Sequence, residues 1–339
     1  MAVIALDLGG TKIASAIIDR DGNVKYLHKN LLAGRGGAEV GRLIIESIDR
    51  QLQKADYCKI KIDAIGVCVP GSVDPDTGMV WAPNIPQWES YPLAQELKRH
   101  VEGRGIEVFV DNDRSCAIYG ELWQGAGRGC KNCVFMVVGT GVGAGIVIDG
   151  RVLHGAHDIV GATGWMALQP PYVKEYEPQG CLEYYASGTG ICNRAKELIR
   201  ANKSYRGELR QMPISRLTTK HIFKAYATGD VIARQVIDKA VEMWGMASAN
   251  MVSLLNPEKV IWGGGVFCSA SHLVPAIYAE AKRWAQPLSI RRTKFEATLL
   301  DGTEVLLGAA FLALQGGTVD LQNKELFVTK EFCRLSKPY

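Results

Sequence analysis

The sequence predicts an α/β fold built from two similar halves. Strand patterns alternate with helical patterns along most of the chain, which is typical of α/β proteins. Two segments also resemble each other, VIALDLGGTKIASAIID at residues 3–19 and VFMVVGTGVGAGIVIDG at residues 134–150. With 339 residues the chain is longer than one hydrophobic core usually spans, so we expect two domains.

Each of the two similar segments is an apolar strand, a glycine-rich turn and a second apolar strand, so each predicts a β-hairpin. A P-loop or a Rossmann turn would lead from a strand into a helix, and the sequence has neither GxxxxGK[ST] nor a well-placed GxGxxG. The other elements follow in chain order: helices near 39–54 and 92–102, strands at 63–71 and 106–113, helices near 183–200, 215–228 and 230–254, a strand at 259–265, and helices near 270–285 and 304–316.

The duplicated start implies two similar halves that face each other, with the division near residue 118. This predicts an N-terminal α/β domain of residues 1–118 and a C-terminal α/β domain of residues 119–303. We expect the last apolar helix, near residues 304–316, to return and pack on the first half. Residues 317–339 are polar and mixed, and they form a C-terminal extension with no predicted function.

Composition argues against several classes of function. The net charge is +4, with Lys and Arg spread along the chain, so no basic block predicts a nucleic-acid partner. The sequence shows no secretory signal and no apolar stretch long enough to cross a bilayer, so we expect a cytoplasmic protein with no membrane partner. The nine cysteines are scattered, which suits reduced thiols. The CxxC of Cys130 and Cys133 has no second pair and is weak evidence for zinc.

The turn of the first predicted hairpin, DLGGTK, has the composition of an anion site. Gly9 and Gly10 lack side chains, so backbone amides can approach a phosphate closely. Thr11 adds a hydroxyl donor and Lys12 adds a positive charge. Asp7 ends the strand, where a carboxylate could hold a hydrated Mg²⁺ beside phosphate. The alternative for this motif alone is an ordinary tight hairpin, because Gly-Gly is common in such turns.

The second predicted hairpin contains alternating glycines, GTGVGAG, which weaken a strand unless something approaches its backbone closely. A phosphate beside Gly139, Thr140 and Gly141 would explain them, and a bulged, closely packed strand is the alternative. We expect the two hairpins to clamp a polyphosphate across a cleft. The later strand KVIWGGG ends in Gly264 and Gly265, which would let an adenine lie flat unless they only form a strand-to-helix loop.

The segment VDNDRS ends a strand and opens a helix, which places Asn112 and Asp113 at a helix N-terminus. Capping alone explains both residues. A carboxylate at the carboxyl end of a strand could instead take a proton from a substrate hydroxyl, as phosphoryl transfer requires. Asn112 would then bond adjacent hydroxyls, and Asn84 would contribute another polar group from a loop with two prolines. Glu183 opens a later helix, where the helix dipole by itself favours an acidic residue.

At these residues the sequence resembles the ROK family of sugar kinases and transcriptional repressors, whose fold is the actin-like (ribonuclease H-like) ATPase fold with two similar domains around a cleft. The resemblance extends from about residue 3 to residue 316. Its motifs occur in the family order: DLGGTK at 7–12, VPGSVD at 69–74, APN at 82–84, DND at 111–113, GTGVGAG at 139–145, GCLE at 180–183, ASG at 186–188 and GGG at 263–265.

The resemblance implies an ATP-dependent sugar or polyol kinase that uses ATP and Mg²⁺, with Asp113 as the catalytic base. It implies that Asp7 holds the Mg²⁺, through water. The residues that match the sugar-binding positions are Gly71, Asn84, Asn112 and Glu183. The residues that match the nucleotide-binding positions are Asp7, Gly9, Gly10, Thr11, Lys12, Gly139, Thr140, Gly141, Gly264 and Gly265.

The sequence departs from the family pattern on the acceptor side. Family kinases show a Gly-Glu-x-Gly-His run after the second hairpin, whereas this chain has Ala162 and Trp165 at the Glu and His positions. Losing two such hydrogen bonds would cost glucose about 3–6 kcal/mol, at about 1.5–3 kcal/mol per charged bond. We therefore expect Trp165 to contact an acceptor other than plain glucose, such as a keto-sugar, a cyclitol or keto-cyclitol, or an amino or deoxy sugar.

Many family members also bind structural zinc through that His and a CxCGxxGC loop. The corresponding segment here is KEYEPQGC, with Lys174 and Tyr176 at two ligand positions and only Cys181 remaining. One thiolate cannot form a tetrahedral site, so we expect no zinc site.

Other functions remain open at this stage. The altered pocket could belong to a non-catalytic regulatory protein that binds sugar and nucleotide, although the intact Asp7, Lys12 and Asp113 favour a kinase. The first strand starts at residue 3, which leaves no room for the helix-turn-helix of the repressors. An ATPase filament protein of the same fold is disfavoured by the acceptor-side residues. The resemblance also suggests a homodimer.

Overall fold

The computed structural model describes residues 2–317 and 319, and it contains two halves that each have a five-stranded sheet. The elements of the first half are β1 (Ala2–Leu8), β2 (Lys12–Asp19), β3 (Val24–Leu31), α1 (Gly37–Tyr57), β4 (Ile62–Val69), β5 (Ser72–Val73), β6 (Val80–Trp81), α2 (Leu93–His100), β7 (Glu107–Asn112) and α3 (Asp113–Gln124). The later elements are β8 (Cys133–Val138), β9 (Val142–Ile148), β10 (Arg151–Val152), α4 (Cys181–Ala186), α5 (Gly188–Ala201), α6 (Thr219–Ala227), α7 (Val231–Leu255), β11 (Lys259–Gly263), α8 (Phe267–Ala270), α9 (Val274–Trp284), α10 (Pro287–Arg292), β12 (Lys294–Ala297) and α11 (Glu304–Leu314).

The two sheets have the same strand order and the same pairing. The first is ordered β3-β2-β1-β4-β7 and the second β10-β9-β8-β11-β12. In each sheet the hairpin strands pair antiparallel, and the two strands on the other side of the hairpin pair parallel. The α/β fold class, the two similar halves and both hairpins are thereby confirmed.

The parallel strands of the first sheet bring their carboxyl ends to one edge. The register aligns Asp7 of β1 with Cys68 of β4, and Cys68 in turn with Asp111 of β7. Polar residues that follow or end these strands therefore lie along the same edge, which is the usual position of ligand sites in open α/β sheets.

Helix α11 packs on α3, β1 and β4. A Cβ added to Gly308 of α11 would overlap the Cys116 carbonyl oxygen of α3, and a Cβ added to Gly66 of β4 would overlap the Ala309 carbonyl oxygen. Only glycine permits these two approaches, so they hold α11 against both β4 and α3. Helix α3 itself is continuous across residue 118, and the predicted domain boundary there stays a prediction.

The helix expected near residues 183–200 is in fact two helices, α4 and α5. Ser187 between them has an extended backbone, with φ −81° and ψ 166°, and its hydroxyl accepts a hydrogen bond from Gly190 N at 2.9 Å. A serine that caps a new helix interrupts the preceding one, and apolar periodicity alone does not reveal this. The helix expected near residues 270–285 corresponds to α9, which begins only at Val274, after a 3₁₀ turn at Ser271–Leu273.

Strand β3 was not predicted, because its residues are mostly exposed and show no apolar alternation. It pairs only with β2, at the edge of the first sheet. Within residues 2–317, no helix is long and apolar enough to cross a membrane. The predicted C-terminal extension, residues 317–339, lies almost wholly outside the described residues.

Candidate functional site

The turn of the first hairpin presents exposed residues at the edge of the first sheet. Gly9 N donates to the Lys12 carbonyl oxygen at 2.9 Å, which closes the turn. Gly10, Thr11 and Lys12 are exposed. A Cβ added to Gly10 would lie 3.4 Å from the Asn84 Cβ. The turn predicted to bind phosphate therefore lies against the loop predicted to bind the acceptor.

The Asp7 carboxyl, near the end of β1, has a raised pKa. Burial is the largest cause and the charge of Asp113 is the next, and together they raise the pKa of Asp7 to about 6 against the opposing charge of Lys12. The influence of Asp113 shows that the two carboxyl groups share one electrostatic environment. Two nearby carboxylates in a partly buried site favour a bound cation, so the donor chemistry fits Mg²⁺.

Asn112 ends β7, and Asp113 begins α3. The Asn112 Oδ1 accepts a hydrogen bond from Ser115 N at 2.9 Å, so the capping interpretation of Asn112 is confirmed. Burial raises the pKa of Asp113, against the opposing charge of Arg114. A carboxylate with a raised pKa is a stronger base toward a hydroxyl proton. The geometry is compatible with a base at Asp113, and that role stays a prediction.

Gly71 is joined to the start of α3 through an arginine. Its φ of 96° favours glycine, and an added Cβ would overlap the Trp81 carbonyl oxygen. The Gly71 carbonyl oxygen accepts a hydrogen bond from Arg114 Nη2 at 3.0 Å, and the same nitrogen donates to the Asp158 carbonyl oxygen at 2.9 Å. The loop that carries Gly71 is therefore fixed beside Asp113 by a residue that the sequence did not single out.

Within residues 2–317 and 319, one group of side chains has the composition of a metal site. Asp111, His154 and Asp158 offer ligand atoms that lie within 4.8 Å of one another. The His154 Nδ1 lies 2.8 Å from the Asp158 Oδ1, and the Asp111 Oδ1 accepts from Asn112 N at 2.7 Å. A hydrogen bond thus accounts for the proximity of His154 and Asp158 without an ion, whereas the Asp111 Oδ1 lies 3.8 Å from the His154 Nδ1.

The segment in which zinc was considered is occupied by aromatic side chains. Tyr176 packs edge-to-face on Tyr184, with ring centroids 5.2 Å apart, and Cys181 is buried with a free thiol. Tyr176 also forms a 3.1 Å hydroxyl–hydroxyl hydrogen bond with Tyr185. The expected lack of a zinc site stays a prediction.

The turn of the second hairpin is attached to α4 and α5. Gly139 N donates to the Gly141 carbonyl oxygen at 2.9 Å, and the Gly139 carbonyl oxygen accepts from Gly188 N at 2.8 Å. The Glu183 Oε2 accepts from Val142 N at 2.8 Å, and burial raises the pKa of this carboxyl. Glu183, predicted as an acceptor ligand, therefore also supports the backbone of the second hairpin.

A cavity of about 510 Å³ opens beside this second turn. Its walls include three residues predicted to bind the nucleotide, Gly139, Thr140 and Gly265. Gly264, with a φ of 86°, packs against Val138 just behind them. The volume suits a ligand of nucleotide size. The other wall residues were not predicted: Gly188, Thr189, Cys192, Asn193, Lys196, Leu217, Thr218, Thr219 and Val266.

The loop that carries Ala162 and Trp165 packs against the side chain of Arg114 on one side and that of Glu183 on the other. A Cβ added to Gly161 would lie 3.4 Å from the Arg114 Cδ, and a Cβ added to Gly164 would lie 2.9 Å from the Glu183 Oε2. The Trp165 side chain is 58% exposed. The loop therefore lies between two acceptor-side residues, with an indole ring that is accessible to a ligand.

The predicted site residues thus form two sets, one in each half. The first set lies at the edge of the first sheet and consists of Asp7, Gly10, Asn84 and Asp113. The second set lies in the second half and consists of the turn of the second hairpin, Glu183 and Gly265. Arg114 connects the halves, because Cβ atoms on Gly143 and Gly161 would each lie 3.4 Å from its side chain. The glycine-rich start of α5, SGTG, could have indicated the cavity residues that were not predicted. No pattern in the sequence indicates His154 or Asp158.

Two sheets of one topology, each with a glycine-rich hairpin turn, and carboxylates near the strand ends of the first sheet define a protein of the actin-like ATPase fold. Residues 3–316 match the ROK family, and the chain belongs to that family.

The relatives include both enzymes and regulators. The chain is 32% identical over 316 residues to a glucokinase from Halalkalibacterium halodurans, which covers 92% of this chain and 94% of the relative. It is 28% identical over 265 residues to a xylose repressor from Caldicellulosiruptor bescii, which covers 77% of this chain and 65% of the relative. The crystal structure of a ROK family glucokinase from Streptomyces griseus in complex with glucose and AMPPNP has a TM-score of 0.77 at 28% identity, covering 93% of this chain and all of that one.

Proposed function

We propose that this chain is an ATP-dependent kinase that transfers a phosphoryl group to a hydroxyl of a sugar or sugar-like polyol. The observation that carries the proposal is the position of Asp113, a partly buried carboxyl with a raised pKa at the start of α3, in the electrostatic environment of Asp7. Family membership and the glucokinase relatives support kinase chemistry.

ATP is the phosphate donor, with its adenosine in the cavity beside Gly265 and its phosphates between the two hairpin turns. The AMPPNP bound to the Streptomyces griseus relative supports this assignment. Asp7 would hold Mg²⁺ through water, and the bound ion would supply charge neutralisation for phosphoryl transfer. Lys12 and the exposed backbone at Gly10 and Thr11 approach the phosphates from the first half.

The chain's own residues activate and orient the acceptor. Asp113 takes the proton from the attacking hydroxyl as that oxygen bonds to phosphorus and the bond from phosphorus to the ADP oxygen breaks. Asn84 and Asn112 bond neighbouring hydroxyls, and Glu183 does so from the second half. Orientation of this kind accounts for much of the rate in phosphoryl transfer, because the protein contributes little covalent chemistry.

The acceptor is a compound other than plain glucose. Ala162 and Trp165 stand where two polar ligands would bind glucose, and the loop that carries them lies between Arg114 and Glu183. A keto-sugar, a cyclitol or keto-cyclitol, or an amino or deoxy sugar has fewer or different hydroxyls to place on that side. The exposed indole of Trp165 offers such an acceptor an apolar face.

The second candidate is a regulatory protein that binds sugar and nucleotide without turnover. Similarity to the xylose repressor from Caldicellulosiruptor bescii favours it. A protein that only senses a ligand has no need of a catalytic base. The regulatory function therefore does not explain the carboxyl pair of Asp7 and Asp113.

An ADP-release assay with Mg·ATP and a panel of hexoses, keto-sugars, amino sugars, deoxy sugars and cyclitols tests both candidates, with AMPPNP binding measured separately by calorimetry. The kinase predicts turnover with at least one acceptor and a higher kcat/KM for it than for glucose. A clear preference for glucose would contradict the proposed acceptor. Nucleotide binding without ADP release for every compound would support the regulatory protein.

A further inference from the structure

Asp158 connects three elements that surround the start of α3. It lies in the loop after β10, is only 5% exposed, and has a φ of 54°. Its Oδ1 accepts hydrogen bonds from Asn112 Nδ2 at 2.6 Å and from His154 Nδ1 at 2.8 Å, and its Oδ2 accepts from Val73 N at 2.8 Å. Its carbonyl oxygen accepts from Arg114 Nη2 at 2.9 Å. A residue of the second half thus accepts hydrogen bonds from β5, from the end of β7, from α3 and from its own loop.

These contacts fix the amide of Asn112 in one orientation. The Nδ2 must face the Asp158 carboxylate, which only accepts, and the Oδ1 must face Ser115 N, which only donates. A flip of the amide would place the Asn112 Oδ1 against the Asp158 carboxylate and the Asn112 Nδ2 against the Ser115 N–H, and both hydrogen bonds would be lost. The cap of α3 is therefore determined by a side chain more than forty positions later in the chain.

The negative charge of Asp158 is compensated on several sides. Hydrogen bonds from His154, Val73 and Asn112 hold the pKa of Asp158 below its usual value against the effect of burial, and the bond to Asp158 raises the pKa of His154. Asp111 of β7, together with Tyr119 and Arg114 of α3, completes the surroundings of His154. A carboxylate supported in this way is held in place more firmly than one isolated hydrogen bond would hold it.

We propose that Asp158 is a positioning residue for the phosphoryl acceptor, which holds Asn112 in one amide orientation and thereby places Asp113 at the start of α3. The proposal rests on the proposed kinase function. We assign Asp158 an indirect role, because its carboxylate is buried and its two oxygens already accept hydrogen bonds from Asn112, His154 and Val73. Asp158 should therefore affect binding of the acceptor, which involves Asn112 and Asp113, and not binding of the nucleotide in the cavity beside Gly265.

Four variants of the full chain test the proposal: Asp158→Ala removes the carboxylate, Asp158→Asn keeps its shape, His154→Gln removes its imidazole partner, and His157→Gln is the control. His157 belongs to the same loop and is exposed. The first measurement uses no activity: the side-chain amide resonance of Asn112 in ¹⁵N-asparagine-labelled protein, identified with Asn112→Asp. We expect it to shift in Asp158→Ala and to stay unchanged in His157→Gln.

The second measurement separates the kinetic constants, using the best acceptor of the ADP-release panel. For Asp158→Ala we expect the acceptor KM to rise about tenfold or more, because a charged hydrogen bond is lost, while the ATP KM changes by about twofold at most. Asp158→Asn should recover part of the loss, because its Oδ1 can still accept from Asn112. His154→Gln should fall between Asp158→Asn and the unchanged protein.

Four results would overturn the proposal. The Asn112 resonance could remain unchanged in Asp158→Ala, or both Asp158 variants could keep the acceptor KM and kcat of the parent. The ATP KM could rise by the same factor as the acceptor KM, which would indicate general damage. Elemental analysis could find a stoichiometric metal that is lost in His154→Gln, which would make Asp158 a metal ligand. A lack of turnover with every acceptor would contradict the kinase function, and the resonance would still decide whether Asp158 holds Asn112.

Discussion

Besides burial, the charge of Asp113 raises the pKa of Asp7, although Asp7 lies near the end of β1 and Asp113 begins α3, far along the chain. Strand β4 lies between β1 and β7, and parallel pairing on both of its sides brings the ends of all three strands to one edge. The arrangement places two carboxyl groups close together, with Asp7 in a position to hold a cation and Asp113 in a position to receive a proton.

Replacing Asp113 by Asn should reduce turnover by about 10²–10⁴, because the general base is lost. Binding of Mg·AMPPNP should stay within about threefold of the parent by calorimetry, since a threefold change is well under 1 kcal/mol. The matched control is Asp76→Asn, which changes an exposed aspartate outside the site. Unchanged ADP release in Asp113→Asn would show that another group takes the proton.

Replacing Asp7 by Asn should stabilise the apo protein while removing Mg²⁺-dependent turnover. The folded-state pKa of about 6 lies above the ordinary 3.8, so folding favours the protonated form. The resulting stability is fully present below pH 3.8 and is lost as the pH rises through 6. At pH 7.5 the variant should exceed the parent in unfolding free energy by on the order of 1–3 kcal/mol.

Urea denaturation at pH 7.5 and at pH 4.5 measures this effect of Asp7→Asn, and the gain should shrink at the lower pH. In the parent protein, kcat/KM should decline as the pH falls through about 6, because protonated Asp7 no longer holds the ion. A variant that is no more stable than the parent at pH 7.5, or a rate that is flat down to pH 5, would contradict the assignment.

Replacing Glu183 by Gln should raise the acceptor KM about tenfold, because a charged hydrogen bond to the acceptor becomes a neutral one. The amide oxygen can still accept from Val142 N, so the melting temperature should change little. Glu183→Ala leaves that N–H without its partner and should lower the unfolding free energy by about 1–3 kcal/mol. Equal effects of both variants on the acceptor KM and on stability would mean that Glu183 only supports the hairpin.

Introducing Ala162→Glu together with Trp165→His should raise kcat/KM for glucose by about tenfold or more, because two polar partners are restored. The same double variant should lose activity toward the acceptor that the parent prefers. Each single variant is the control, with a smaller change expected. An unchanged glucose rate in the double variant would show that these two positions do not contact the acceptor.

Several parts of the fold could be predicted from local pattern. The two hairpins follow from apolar strands on both sides of glycine turns, and α11 follows from its apolar length. The break at Ser187 and the edge strand β3 could not be predicted in this way, because the first depends on one cap and the second is mostly exposed and shows no apolar alternation.

The candidate site was predictable only in part for a similar reason. Glycine turns and Asp113 are visible as motifs in the printed sequence, whereas Lys196 of the cavity lies on an ordinary amphipathic helix. Asp158 and His154 occur in a loop without pattern, and their importance depends on which side chains the fold brings to them.

The amino-acid sequence by itself determined the α/β class, the duplication and the chemical inventory of the site, because strand periodicity and glycine turns act over a few residues. The tertiary structure decided which polar side chains meet: Asp7 with Asp113 across β4, and Asn112 with Asp158 across the two halves. Those pairs depend on strand register and on close helix packing at Gly308, and such long-range contacts leave no local signal in the chain.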